Sequence, residues 1–201
     1  AAVSARALAR DDARSVGIIG CGVNGSWAAR CLAAAGFGPG TCADVRPEAA
    51  ERLARELGWT AGPVEEALSA DVVATVTPGD RPVVGEGTLR SGQHLALLGA
   101  DARGKAEMTP GAVDRCRLFC DEWAQASTGG ELAGPVSRGQ VDRGRVTEIG
   151  AVLAGTAPGR AGDEEITAFD STGLAIQDLG IALAVLDAVR AGEVEGLEVP
   201  L

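Results

Sequence analysis

The sequence predicts an α/β fold: a doubly wound, mostly parallel sheet with flanking helices. Three observations predict it. Short apolar runs of strand length alternate with longer stretches of helical spacing. One apolar run, Ser15-Val-Gly-Ile-Ile19, passes directly into Gly20-Cys-Gly22-Val-Asn-Gly25 and an alanine-rich stretch. A second, Thr41-Cys-Ala43, ends on Asp44, nineteen residues beyond Gly25.

Taken in order, residues 1–14 read as an N-terminal linking helix that leaves the sheet at the end opposite the glycines. Ser15–Ile19 has the continuous apolar character of a strand buried on both faces. Trp27 to Ala35 contains no breaker and is closed by Gly36, so it reads as a helix. Pro47 to Leu57 starts on proline, carries Ala50, Leu53, Ala54 and Leu57 at helical spacing, and is closed by Gly58. Trp59-Thr-Ala61 reads as a short edge strand, Val64 to Leu68 as a brief helix and Asp71 to Thr77 as a buried strand. Pro78-Gly-Asp-Arg-Pro82 breaks the chain at that strand's C-terminal end, where ligands bind in open α/β sheets. His94–Leu98 and Arg117–Asp121 supply two further strands. Gly155–Arg160 and Asp163–Glu165 read as a polar loop, Ile166–Phe169 as a strand, and Leu174 to Val189 as a helix apolar on most sides. A helix of that kind predicts burial on more than one face, against another domain or subunit.

Strand, glycine loop, helix, strand and acid within about thirty residues make the dinucleotide-binding fingerprint of a Rossmann-type fold. Gly20 permits the tight turn, Gly22 the approach of backbone N–H groups to a pyrophosphate, and Gly25 the close packing of helix on strand. The N-terminus of the helix that follows offers unpaired N–H groups and partial positive charge to the phosphates. Asp44 is expected to accept from the adenosine ribose hydroxyls and to repel a 2′-phosphate, which favours NAD over NADP. Arg46 beside it offsets part of that repulsion. The alternative is a glycine turn that joins strand to helix and holds no ligand.

Composition narrows the rest. Hydrophobic residues make up 46% of the 201, enough for a sizeable core. Eighteen Lys+Arg against 28 Asp+Glu give a net charge of −10, which argues against nucleic-acid and anionic-membrane surfaces. No run approaches the roughly 18 apolar residues of a membrane span, and no export signal is seen at the start, so the expectation is a cytoplasmic protein.

The five cysteines (Cys21, Cys31, Cys42, Cys116 and Cys120) read as reduced thiols acting as small apolar residues. Cys116 and Cys120 lack the further ligands of a zinc site, and no metal is expected. Cys21 has two readings: filler of the glycine turn, or a thiol whose pKa is lowered by a helix N-terminus. His94, the one histidine, has no G-x-S-x-G elbow with it and reads as a satisfied histidine at a strand start.

Further motifs lie along nearly the whole chain: Ala70-Asp-Val-Val-Ala-Thr-Val-Thr77, Gly99-Ala-Asp-Ala-Arg-Gly-Lys-Ala-Glu107, Gly130-Glu-Leu132, Gly155-x-x-x-Gly159-Arg160, and Ile166-Thr-Ala-Phe-Asp-Ser-Thr-Gly173 followed by Asp178-Leu179. With the glycine loop, they resemble the ornithine cyclodeaminase/mu-crystallin family. That resemblance implies NAD as cofactor, an amino acid or imine as substrate, and a homodimer in which a Rossmann domain faces a substrate and dimerisation domain. It implies cofactor contacts at Gly20, Gly22, Val23, Asn24, Gly25, Asp44, Val45, Arg46, Thr75, Thr77, Pro78, Gly99 and Ala100. It implies that Asp101 is the proton acceptor beside the nicotinamide. The alternative for Asp101 is a turn cap. Lys105 and Glu107 fit the family pattern, whereas Arg103 stands where many relatives carry proline.

Family members are roughly half as long again, and the extra residues precede Ala1. Residues 15–165 are thus expected to form the dinucleotide-binding domain, and residues 166–201 a strand and helix that contribute to a substrate and dimerisation domain. Two functions follow: an NAD(H)-dependent oxidoreductase or cyclodeaminase, or a non-catalytic module that holds a dinucleotide or other small ligand.

Overall fold

The computed structural model describes residues 1–78, 81–100, 102 and 104–197. Eight strands form one sheet in the order β3-β2-β1-β4-β5-β8-β6-β7. They are β1 (Val16–Ile19), β2 (Gly40–Ala43), β3 (Thr60–Ala61), β4 (Val72–Thr75), β5 (His94–Leu97), β6 (Arg117–Cys120), β7 (Val146–Glu148) and β8 (Thr167–Asp170). Every neighbouring pair is parallel. All four residues of β1, β4, β5 and β8 are buried, as a sheet covered on both faces requires.

Alternate strand residues feed two cores. Val16, Ile18, Cys42, Val72, Ala74 and Ala96 pack on one face with helices α1 (Ala2–Leu8), α2 (Val23–Ala34) and α3 (Pro47–Leu57). Ile19, Val73, Leu95, Leu97, Leu118 and Ala168 pack on the other, under α4 (Val64–Ala67), α5 (Pro110–Asp114), α6 (Trp123–Gly129) and α7 (Ala133–Ser137). α8 (Ile149–Leu153) joins Leu8, Phe119 and Phe169 in a third, small cluster.

The first five strands stand in the order of a dinucleotide-binding sheet, with the reversal between β1 and β4. Beyond it the chain departs from the simple pattern. It skips one place to β6, adds β7 at the edge, and returns through α8 to lay β8 between β5 and β6. The strand that the sequence groups with the C-terminal segment is therefore an interior strand of this sheet. Its hydrogen-bonding edges are both taken, and Thr167 and Asp170 at its two ends are buried.

One further reading needs revision. The N-terminal helix does not leave the sheet: Ala5 and Leu8 are buried in it, and Ser4 Oγ lies 3.0 Å from His94 Nε2. The Gly155–Arg160 stretch is polar because Arg160 works inward. Its guanidinium donates to the carbonyls of Leu8, Gln93 and Glu165 and to Thr167 Oγ1, so one side chain ties α1, β5 and β8 together. The apolar helix, α9 (Ala175–Arg190), buries no residue within this chain, and Ile176 and Ile181 are 65% and 69% exposed. Among the described residues, no helix is long and apolar enough to cross a membrane.

Candidate cofactor site

A cleft of about 610 Å³ opens at the C-terminal ends of β1, β2 and β4, beside the reversal of strand order. Gly20 and Gly22 form its floor; Asp44, Val45 and Arg46 stand on one side; Val76, Thr77 and Pro78 stand on the other. All of these but Val76 are predicted site residues, so the fold brings seven of them together.

Each glycine meets the requirement its position sets. Gly20 has φ +95°, and a Cβ there would overlap the Val76 carbonyl. A Cβ on Gly25 would overlap the Gly20 carbonyl oxygen, so α2 can cross β1 this closely only without one. Gly22, by contrast, has nothing within 4 Å of a built Cβ: its space is open cleft. Gly22 is also the N-cap of α2, whose N-terminus has no side-chain cap and no acidic residue in its first turn. Val23 and Asn24 are exposed there, which leaves the helix end available to an anion.

Asp44 is fixed from two sides. Its Oδ2 accepts from the Cys21 N–H at 2.6 Å and its Oδ1 from the Arg46 N–H at 2.8 Å. The Arg46 guanidinium lies 3.6 Å from Oδ1 on a side chain that is 62% exposed, so it reaches the rim of the cleft. Val45 between them is 97% exposed, an apolar side chain offered to the cleft.

The Cys21 thiol donates to the Ala43 carbonyl and is fully buried. Its contact with the Cys42 thiol, and then burial, push its pKa up rather than down. The helix N-terminus therefore does not activate it; the thiol fills the turn. His94 is fully buried between Thr167 Oγ1 at 2.9 Å and Ser4 Oγ at 3.0 Å, at the opposite end of the sheet from the cleft. Burial depresses its pKa to about 3, so it is a neutral structural group.

Thr75, Gly99 and Ala100 are placed differently from the other predicted contacts. Thr75 is buried, and its hydroxyl donates to Glu107 Oε2 at 2.7 Å rather than facing the cleft. Gly99 packs beside Thr77: a Cβ there would overlap the Thr77 carbonyl. Ala100 is buried. Asp101 and Arg103 lie outside the described residues.

Three acids that the sequence shows only inside family motifs, with no role assigned, are buried behind the site: Glu107, Glu131 and Asp170. Glu107 accepts from both Thr75 and Thr77 and from Gly99. Glu131 accepts from the N–H groups of Glu107 and Met108 at 2.7 and 2.8 Å. Asp170 Oδ2 accepts from the Leu132 N–H at 3.0 Å, while its Oδ1 is buried without a partner among the described residues. Burial raises the pKa of Glu131 and of Asp170 to about 7. The one available signal was an acid inside otherwise apolar or glycine-flanked segments, Ala106-Glu-Met108 and Gly130-Glu-Leu132.

Comparison with known proteins agrees with this geometry. The ornithine cyclodeaminase/mu-crystallin family model matches residues 1–193. The alanine dehydrogenase of Archaeoglobus fulgidus is 37% identical over 192 residues, covering 92% of this chain and 60% of that protein. The structure of an archaeal alanine dehydrogenase dimer with bound NAD superposes with a TM-score of 0.90 at 36% identity, over 97% of this chain and 63% of that one. The Thermococcus litoralis Δ1-pyrroline-2-carboxylate reductase in complex with NADH and L-proline gives 0.88 at 28% identity, over 98% and 64%. The chain thus spans about 60% of the length of the alanine dehydrogenase it matches. It belongs to the ornithine cyclodeaminase/mu-crystallin family.

Proposed function

We propose that this chain carries the cofactor half of an NAD(H)-dependent oxidoreductase that acts on an amino acid or its imine. The observation that carries this reading is one cleft at the strand reversal that unites an open Gly22, an uncapped helix N-terminus and a fixed Asp44. The residues fit a dinucleotide. The N-terminus of α2 would hold the pyrophosphate, and Asp44 the adenosine ribose hydroxyls, with its charge set against a 2′-phosphate. Val45, Arg46 and Pro78 would line the rest of the cofactor's path, and Gly99 and Ala100 its far end.

When bound, the nicotinamide accepts or donates the hydride. The chain's own contribution is positional and protolytic. Asp101, two residues beyond Gly99 in sequence, would take the proton from the substrate amine or from water as the hydride leaves, and return it in the reverse direction. The names of the relatives, alanine dehydrogenase and pyrroline-2-carboxylate reductase, support an amino acid or cyclic imine as the substrate class. Residues 15–165, completed by β8, would be the dinucleotide-binding unit, with α1 packed on it. The exposed apolar face of α9 supports a role in a substrate and dimerisation unit, and the archaeal relative is a dimer.

A side-by-side titration with NADH and NADPH tests the cofactor assignment. Preferential binding of NADH is expected; equal or preferred NADPH binding would mean that Arg46 outweighs Asp44, and no binding of either would make the glycine loop scaffolding. Asp101→Asn should then retain NADH affinity and abolish turnover on amino acids and cyclic imines, and normal turnover would remove Asp101 from the mechanism. NADH binding by a wild-type protein without turnover on any of these would favour a non-catalytic binding module.

A further inference from the structure

Glu107 lies behind the cleft rather than in it, fully buried, yet it is bonded to both strand ends on the far side of the site. Its Oε1 accepts from the Thr77 N–H and the Thr77 hydroxyl, each at 2.7 Å. Its Oε2 accepts from the Thr75 hydroxyl at 2.7 Å and the Gly99 N–H at 2.9 Å. One carboxylate thus joins the chain just beyond β4 to the chain just beyond β5. Gly99 permits the approach, because a Cβ at that position would overlap the Thr77 carbonyl and sit 2.5 Å from Glu107 Oε1.

Glu107 is itself held. Its N–H donates to Glu131 Oε2, and its carbonyl accepts from Val83 and Val84. Val83 also lines the cleft. In a sheet of this order a dinucleotide lies across the reversal, with one nucleotide on each side. Asp44 at the end of β2 marks the adenosine side, so the ends of β4 and β5 face the nicotinamide side. We propose that Glu107 is a positioning residue for the nicotinamide half of the cofactor, setting the spacing between Thr77 and Gly99. The proposal rests on the dinucleotide assignment above.

Chemistry makes the carboxylate hard to replace. Four donors converge on two oxygens, and each oxygen faces one backbone N–H. In Glu107→Gln the amide –NH2 must take one of the two places, and there it meets the N–H of Thr77 or of Gly99 with no acceptor between them. The expected consequence is a loss on one half of the ligand only.

The test compares NADH with ADP-ribose, which carries the adenosine and pyrophosphate but no nicotinamide. Glu107→Gln should weaken NADH by about tenfold or more and leave ADP-ribose within about twofold of wild type. Unchanged NADH affinity would overturn the proposal, and so would an equal loss for both ligands, since that marks a general structural role. Thr75→Val, which removes one donor from a buried site and touches no cleft surface, should give a smaller loss in the same direction. If Glu107→Gln does not fold, Thr75→Val decides, and wild-type affinity for both ligands then overturns the proposal. A wild-type chain that binds neither ligand would instead refute the dinucleotide assignment itself.

Discussion

The backbone N–H of Cys21 donates to Asp44 Oδ2 across 2.6 Å, which makes the turn after β1 and the acid after β2 a single rigid unit. The Arg46 N–H holds the other oxygen, so the carboxylate is oriented before any ligand arrives. Pre-orientation matters because a freely rotating acid would lose side-chain entropy on binding. Each oxygen keeps a second lone pair for a ribose hydroxyl.

Asp44→Asn removes the charge and keeps one acceptor, for the Cys21 N–H, while its amide –NH2 takes the place facing the Arg46 N–H. The repulsion of a 2′-phosphate then disappears, while the Arg46 guanidinium, 3.6 Å from the carboxylate in the wild type, gains a free hand toward it. The ratio of NADPH to NADH affinity should rise by about tenfold or more. Parallel titrations of variant and wild type check this; an unchanged ratio would mean that Asp44 does not set the preference.

Gly25 and Gly22 should separate folding from binding. Gly25→Ala drives a methyl into the Gly20 carbonyl, a backbone contact that cannot rotate away. It should cost about 1–3 kcal/mol, toward the upper end of that range. Gly22→Ala places its methyl in open cleft, at a backbone φ of −71° that alanine accepts. Its urea midpoint should match wild type while NADH affinity falls. Equal stability losses in the two variants would contradict the division of labour.

The same contrast shows what the sequence could reveal. β1, α2, β2 and the acid were legible because each obeys a local rule: an apolar run, a breaker-free helix, a glycine at a forced turn. The Pro47–Leu57 helix and its Gly58 terminator follow the same logic, and Gly58 is left-handed as expected. β7 and α8 were not legible, for Val146-Thr-Glu148 and Ile149–Leu153 are too short to show a period. The place of β8 depends on pairing with β5 and β6, residues 47 or more positions away, which no local pattern encodes. Arg160 reads as a loop polar, and Glu107 as a motif position without a role, because their partners are carbonyls, hydroxyls and N–H groups distant in sequence. The family resemblance implies Thr75 as a cofactor contact, but the pleat turns it inward, to Glu107.

Asp170 and Glu131 give the fold a pH dependence of defined sign. Burial raises both to about 7 in the folded chain, well above the roughly 4 of an unfolded carboxyl. Between about pH 4 and 7 the folded state holds protons that the unfolded state has released, so their contribution falls as pH rises through that window and is flat above it. Asp170→Asn keeps an acceptor for the Leu132 N–H and removes a carboxylate oxygen that has no partner among the described residues. Relative to wild type, the variant should therefore gain stability between pH 5 and pH 8. Urea midpoints at the two values check it, and a difference that does not change with pH would show that Asp170 does not titrate in this range.

His94 contributes with the opposite sign. It is buried between Ser4 and Thr167, and burial depresses its pKa to about 3. An unfolded histidine takes up a proton near pH 6.5, so as pH falls from there toward 3 the unfolded state gains protons that the folded state refuses. Stability from this residue is thus present above about pH 6.5 and is lost on acidification. His94→Gln removes the titration together with well-placed hydrogen bonds that link α1, β5 and β8. At pH 7.5 it should be less stable by about 1–3 kcal/mol. The deficit should shrink on the way to pH 5, since only the wild type carries the acid penalty. Denaturation of the pair at both pH values measures it, and a deficit that stays constant or widens toward pH 5 would show that His94 is not held neutral in the fold.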